Sequence, residues 1–168
     1  MNTQKTILLL LILIFVLSCS SEEKLISTAD NTSQNRKILA LGDSYTIGQS
    51  VCQTCKFPEQ LKDSLLDNLP DTYNFSLQVI AQTGWTTTNL IAAISSEKPA
   101  LDFDLVTLLI GVNNQYQNKP FTVYESEFPY LVDNAIRSAK GNKSKVIVVS
   151  IPDYAFTPFG QGSNNAQN

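Results

Sequence analysis

The chain has 168 residues, 43% of them apolar and 16% charged, with a net charge of −3. That composition supports one folded domain with a core and excludes a disordered acidic or basic tail protein. The 12 Lys and Arg are scattered without a basic stripe, which argues against a nucleic-acid partner. There is no His, so the commonest general base and the commonest metal ligand are both absent from these residues.

Lys5 precedes an unbroken apolar run from Ile7 to Leu17. A run of about eleven residues is short for a bilayer span and reads as a secretory signal. Val16-Leu17-Ser18-Cys19 then resembles a bacterial lipobox, with a plain signal peptide as the alternative. The expectation is a lipoprotein signal over residues 1–18 and lipidation at Cys19, where more than one acyl chain would anchor the protein stably in a membrane. By resemblance to lipoprotein sorting, Ser20 after the Cys, where an Asp would retain the protein, favours the outer membrane of a bacterial cell envelope. Residues 19–36, rich in Ser, Thr, Asn and charge, read as a flexible tether, and residues 37–168 as the domain.

Within the domain, strand-like and helical patterns alternate. Ile38 to Leu41 is an apolar run closed by Gly42. Phe57, Leu61, Leu65 and Leu69 fall four apart, one face of a helix stopped by Pro70-Asp71. Phe75 to Ile80 alternates as a strand and ends at Thr83-Gly84-Trp85. Thr86, Thr87 and Thr88 then offer N-caps to a helix carrying Leu90, Ile91, Ala93 and Ile94. Leu105 to Ile110 is apolar except for Thr107, as in a central strand, and closes at Gly111-Val112-Asn113-Asn114. Thr122 and Glu125 have capping-box spacing before a stripe of Phe128, Leu131, Val132, Ala135, Ile136 and Ala139, which Pro129 is expected to interrupt or restart. Val146 to Ile151 is a fourth strand, ending at Pro152-Asp153. This order predicts an α/β domain with a parallel sheet, whose ligands bind beyond the carboxyl ends of the strands.

The special residues sit at those ends. Ser44, on the turn after the first strand, is a candidate nucleophile, since unpaired N–H groups of a following helix favour negative charge there. Gly84 can bring a backbone N–H close to a substrate, and Asn113 supplies a neutral amide donor. Taken singly, each has a plainer explanation: an N-capping Ser, a turn Gly, a loop Asn. Tyr45, Phe57 and Trp85 are candidates to wall a pocket or, equally, to fill core and rim.

Gly42-Asp43-Ser44-Tyr45-Thr46-Ile47-Gly48, Thr83-Gly84-Trp85, Gly111-Val112-Asn113-Asn114 and Ser150-Ile151-Pro152-Asp153 together resemble the SGNH (GDSL-type) hydrolase family over roughly residues 37 to 160. The resemblance implies a three-layer α/β/α sandwich of the flavodoxin-like kind. It implies hydrolysis of carboxylic esters, such as acyl or acetyl groups on sugars or lipids, or of thioesters, through an acyl-enzyme. Ser44 is then the nucleophile, with its own N–H, the Gly84 N–H and the Asn113 amide as oxyanion donors, and no metal or organic cofactor is implied. Asn114 stands where the family often has Asp, a departure expected to matter little. The family's last block, Asp-x-x-His, is not found here, and neither Asp43 nor Asp153 matches it. With the loop-like composition of Gly160 to Asn168, this leads to the expectation of a longer protein read only in part, incomplete at its C-terminus. The rival expectation is an inactive envelope lipoprotein that uses the sandwich as a binding or scaffold module.

Cys52-Gln53-Thr54-Cys55 has three readings: a structural disulfide or thiol pair at the rim of the site, a redox motif, or a metal site. The strand-end position a redox motif would need is taken by Gly42-Asp43-Ser44, and zinc would need more ligands than the pair offers. An exported protein meets an oxidising compartment, which favours the bridge.

Overall fold

The computed structural model describes residues 33–151. The signal segment, Cys19, most of the tether and Asp153 lie outside the described residues.

Four parallel strands, β1 (Gln34–Gly42), β2 (Tyr73–Ala81), β3 (Leu105–Leu109) and β4 (Val146–Val148), form one sheet in the order β2-β1-β3-β4. Five helices connect them: α1 (Ser44–Ile47), α2 (Phe57–Asn68), α3 (Thr87–Glu97), α4 (Val112–Tyr116) and α5 (Phe121–Ser138). This strand order is the doubly wound one in which a chain moves outward from β1 in one direction and then returns past it in the other. Right-handed crossovers on such a path put α2 on one face and α3 with α5 on the other, giving three layers.

The residues explain the layering. Ile38, Leu39, Ala40 and Leu41 of β1 are all buried, as expected for a strand covered on both faces. Leu39 and Leu41 share one core with Ile80, Val106 and Leu108 of the sheet, Ile110 just past β3, Leu90 of α3, and Leu131 and Ala135 of α5. On the other face α2 packs with Phe57, Leu61 and Leu65 half buried, while Leu69, the last of the expected stripe, lies just beyond the helix and is 37% exposed. At the outer edge of the sheet, β4 leaves Ile147 and Val148 about half exposed.

Several boundaries differ from the sequence reading. Gln34, Asn35 and Arg36, taken as tether, are strand, paired in register with Tyr73, Asn74 and Phe75. Their side chains are polar, so only main-chain pairing reveals them; Arg36 also lies over the Tyr73 ring. Helix α5 begins at Phe121 behind Pro120, so Thr122 sits inside the first turn and caps nothing. Pro129 does not break α5, because it lies on the exposed side where water can satisfy the freed carbonyl. Strand β4 ends at Val148, short of the expected Ile151.

The amino ends of the strands are tied by Asp104, which accepts hydrogen bonds from the Lys37 N–H (3.0 Å) and from Lys140 (2.8 Å). The opposite, carboxyl ends carry the candidate site.

Candidate active site

Gly42 is in register with Ala81 of β2 on one side and Leu109 of β3 on the other. The three strands therefore end level. Within four residues of those ends come Ser44, Gly84 and Asn113, so all three sit on one edge of the sheet. β1 and β3 are also the neighbours between which the winding direction reverses, the position where doubly wound sheets hold ligands.

The turn at Ser44 is tightly specified. A side chain on Gly42 would meet the Thr46 hydroxyl at 2.0 Å and the Leu109 carbonyl at 2.4 Å. Asp43 caps α1: its carbonyl accepts from the Thr46 and Ile47 N–H groups, and its Oδ1 accepts from the Tyr45 N–H at 3.0 Å. The Asp43 side chain is fully buried and its Oδ2 has no hydrogen-bond partner. Burial pushes its pKa up from 3.8 to about 6, against the opposing effect of the Tyr45 N–H. Ser44 is the first residue of α1 and half buried, and among the described residues its hydroxyl has no hydrogen-bond partner. The single turn closes at Gly48, whose N–H donates to the Ser44 carbonyl at 3.1 Å.

The loop after β2 is held from β3. Gly84 has φ +82°, which a side chain would strain, yet a Cβ there would touch nothing. Glycine here serves the backbone conformation, and no protein atom crowds the position. The Gly84 carbonyl accepts from Gln117 Nε2 at 2.8 Å and the Trp85 carbonyl from Asn113 Nδ2 at 2.9 Å. An amide group has two N–H bonds, so Asn113 keeps one to donate elsewhere. Thr87, where α3 begins, is held by Asn114: its N–H donates to Asn114 Oδ1 at 3.0 Å and its hydroxyl accepts from Asn114 Nδ2 at 2.7 Å. At the far side of the loop Thr83 donates to Gln49, just past α1. Gly111, which opens α4, has φ +133°, and a side chain there would run into the Tyr124 ring at 2.6 Å and Ile151 at 2.9 Å.

Asn114, Gln117 and Thr87 were not singled out as a supporting set by the sequence reading. The available signal was spacing: Asn113 and Gln117 lie four apart and Asn114 and Gln117 three apart, one face of a short helix. The aromatic candidates divide. Tyr45 is 38% exposed at the site, Trp85 packs against the main core, and Phe57 belongs to α2. Cys52 and Cys55 are joined as a disulfide in the exposed turn before α2. Among the described residues no group of three or more His, Cys, Asp or Glu is arranged to hold a metal ion, and no helix is long and apolar enough to cross a membrane.

The profile of the GDSL-like Lipase/Acylhydrolase family matches residues 40–168. Among solved structures, the fold is similar to AlinE4, described as an SGNH-hydrolase family esterase, at 18% identity and a TM-score of 0.58, covering 70% of this chain and 60% of that one. It is similar to TesA at 18% identity and a TM-score of 0.53, covering 69% and 61%. The chain therefore spans about three fifths of the length of those structures. No curated protein sequence matches it. With its parallel β2-β1-β3-β4 sheet and the family profile running from Ala40 onward, the chain belongs to the GDSL-like lipase/acylhydrolase family.

Proposed function

We propose that this chain is the nucleophile-bearing part of a serine esterase that cleaves carboxylic esters through an acyl-enzyme on Ser44. The observation that carries the reading is the convergence of Ser44, Gly84 and the spare N–H of Asn113 on one sheet edge at the winding switch point. Ser44 Oγ attacks the ester carbonyl carbon and gives its proton to a base. The carbonyl oxygen becomes an oxyanion facing the Ser44 N–H, the Gly84 N–H and the Asn113 amide. Collapse expels the alcohol, which takes the proton back, and leaves the acyl group on Oγ. Water, deprotonated by the same base, then releases the acid and restores Ser44.

These residues contain no His, and the Asp43 carboxyl is wholly buried with one oxygen bound to its own turn. The reading therefore assigns the base to an Asp-x-x-His segment outside these 168 residues. The substrate class proposed is an acyl or acetyl ester on a sugar or lipid, met at the bacterial envelope by a protein anchored through Cys19. The rival reading is an envelope lipoprotein that uses the sandwich as a binding or scaffold module without catalysis.

A serine-reactive fluorophosphonate separates the two. On the full-length protein it should label Ser44, and Ser44→Ala should abolish both label and esterase activity. Full-length protein that takes no label would establish the scaffold reading instead.

A further inference from the structure

We propose that Asn114 and Glu127 are positioning residues that set the Gly84–Thr87 loop from two sides, through the hydroxyl of Thr87. The inference rests on the reading above, in which that loop presents an oxyanion donor.

Asn114 is 4% exposed and Thr87 fully buried, so their polar atoms must find partners inside the protein. Asn114 Nδ2 donates to Thr87 Oγ1 at 2.7 Å. Thr87 Oγ1 in turn donates its one proton to Glu127 Oε2 on α5, and Thr88 Oγ1 donates to the same carboxylate at 2.8 Å. The polarity has no freedom: an amide NH2 only donates and a carboxylate only accepts. Asn114 Oδ1 meanwhile holds the Thr87 N–H, and the neighbouring Asn113 and Gln117 hold the carbonyls of Trp85 and Gly84. The loop is thus pinned at Gly84, Trp85 and Thr87 by α4 and its C-cap Gln117, and Glu127 anchors the far end of the chain of bonds.

The pairing is matched. An Asp at position 114 would still accept from the Thr87 N–H, but it could not donate to the hydroxyl. One Thr87 proton would then face two carboxylates. Asn114 and Glu127 therefore act as a pair, and exchanging their chemistry should preserve what breaking it destroys. In Asn114→Asp with Glu127→Gln, the amide at 127 donates to Thr87 and Thr87 donates to the carboxylate at 114, with the same number of bonds.

Trp85 is the sole Trp of the chain and lies within this loop, so its fluorescence reports the loop directly. In the full-length protein at neutral pH, Asn114→Asp should raise acrylamide quenching of Trp85 at least about twofold, as expected when the amide donor to Thr87 is lost and two carboxylates compete for one proton. The double variant should return quenching to the wild-type value. Glu127→Gln alone, at a partly exposed position, should shift quenching in the same direction by less, and it stands as the test should Asn114→Asp fail to fold. A network that only braces α5 against α3 would lower the melting temperature in the single variants and leave Trp85 unchanged; that result, or a double variant no better than Asn114→Asp, overturns the proposal. Fluorophosphonate labelling of Ser44 is read alongside. Trp85 responding as described while Ser44 never labels would reject the esterase reading and leave the positioning of the loop intact.

Discussion

The Asn113 side chain donates one amide N–H to the Trp85 carbonyl at 2.9 Å, and this bond fixes the direction of the other. A free amide would turn about its last torsion; here the carbonyl of a neighbouring strand-end loop holds it. Donors that need no rearrangement during reaction contribute most to stabilising an oxyanion. Asn113→Ala should therefore lower kcat of the full-length protein by about 100-fold to 1,000-fold, the usual loss for one oxyanion donor. The half-buried Trp85 carbonyl would also lose its partner, at roughly 1–3 kcal/mol in stability. Steady-state kinetics on a nitrophenyl ester and a thermal melt check both. Unchanged kcat with a lowered melting temperature would reduce Asn113 to a strut for the loop.

Two site glycines are required for different reasons, and substitution separates them. Gly84→Ala meets only backbone strain at φ +82°, since nothing lies within 4 Å of the new methyl. The expected loss is about 1–2 kcal/mol. Gly111→Ala adds a collision with the Tyr124 ring at 2.6 Å and Ile151 at 2.9 Å. Overpacking of this kind typically adds about 1–3 kcal/mol. Urea denaturation should rank Gly111→Ala clearly below Gly84→Ala. Equal losses would mean that the Tyr124 ring swings aside freely.

Why the strand ends were legible and their supports were not comes down to range. Ile38–Leu41, and Leu105–Leu109 apart from Thr107, are apolar on both faces, so they announce themselves as central strands, and Ser44 and Asn113 come within four residues of their ends. The helix stripe of Leu131 and Ala135 was likewise read from its spacing. Gln34–Arg36 escaped because their burial is slight and their strand character lies in main-chain bonds to Tyr73–Phe75. Asn114 was passed over because its partner Thr87 is distant in the chain, and Glu127 because the hydroxyl it accepts from lies on another helix. Side-chain bonds across such separations leave no periodic trace. The family resemblance pointed to Asn113 as a candidate donor and was silent on what holds it.

The Cys52–Cys55 bridge closes a very short exposed loop before α2. In the chain-entropy view, constraining so few residues stabilises the fold by about 2 kcal/mol or less. Cys52→Ser with Cys55→Ser should therefore lower the unfolding free energy by no more than that and leave Ser44 labelling at its wild-type rate. Alkylation of both thiols by iodoacetamide should require prior reduction. Ready alkylation without reductant would show that the pair is not bridged in solution.

Asp43 makes the stability of the fold depend on pH in the direction opposite to an ordinary paired carboxylate. Its pKa is raised by burial from 3.8 to about 6, so between those values the folded protein binds a proton that the unfolded chain does not. Stability contributed by this group therefore falls as pH rises through that window. Below about pH 4 the carboxyl is neutral in both states and carries no penalty; above about pH 6 it is ionised in both and the penalty is complete, on the order of 3 kcal/mol for a shift of this size. Asp43→Asn removes the charge while keeping an oxygen for the Tyr45 N–H, and Asn caps helices as well as Asp does. The variant should thus gain on wild type progressively between about pH 4 and pH 6, then hold a constant advantage of up to about 3 kcal/mol toward pH 8. Urea midpoints of both proteins across pH 3.5 to 8 measure it, with roughly half-unit steps through the window. A difference that stays flat from acid to neutral pH would mean that the unpartnered Oδ2 finds solvation in the folded protein, and that burial does not set the charge of the residue preceding Ser44.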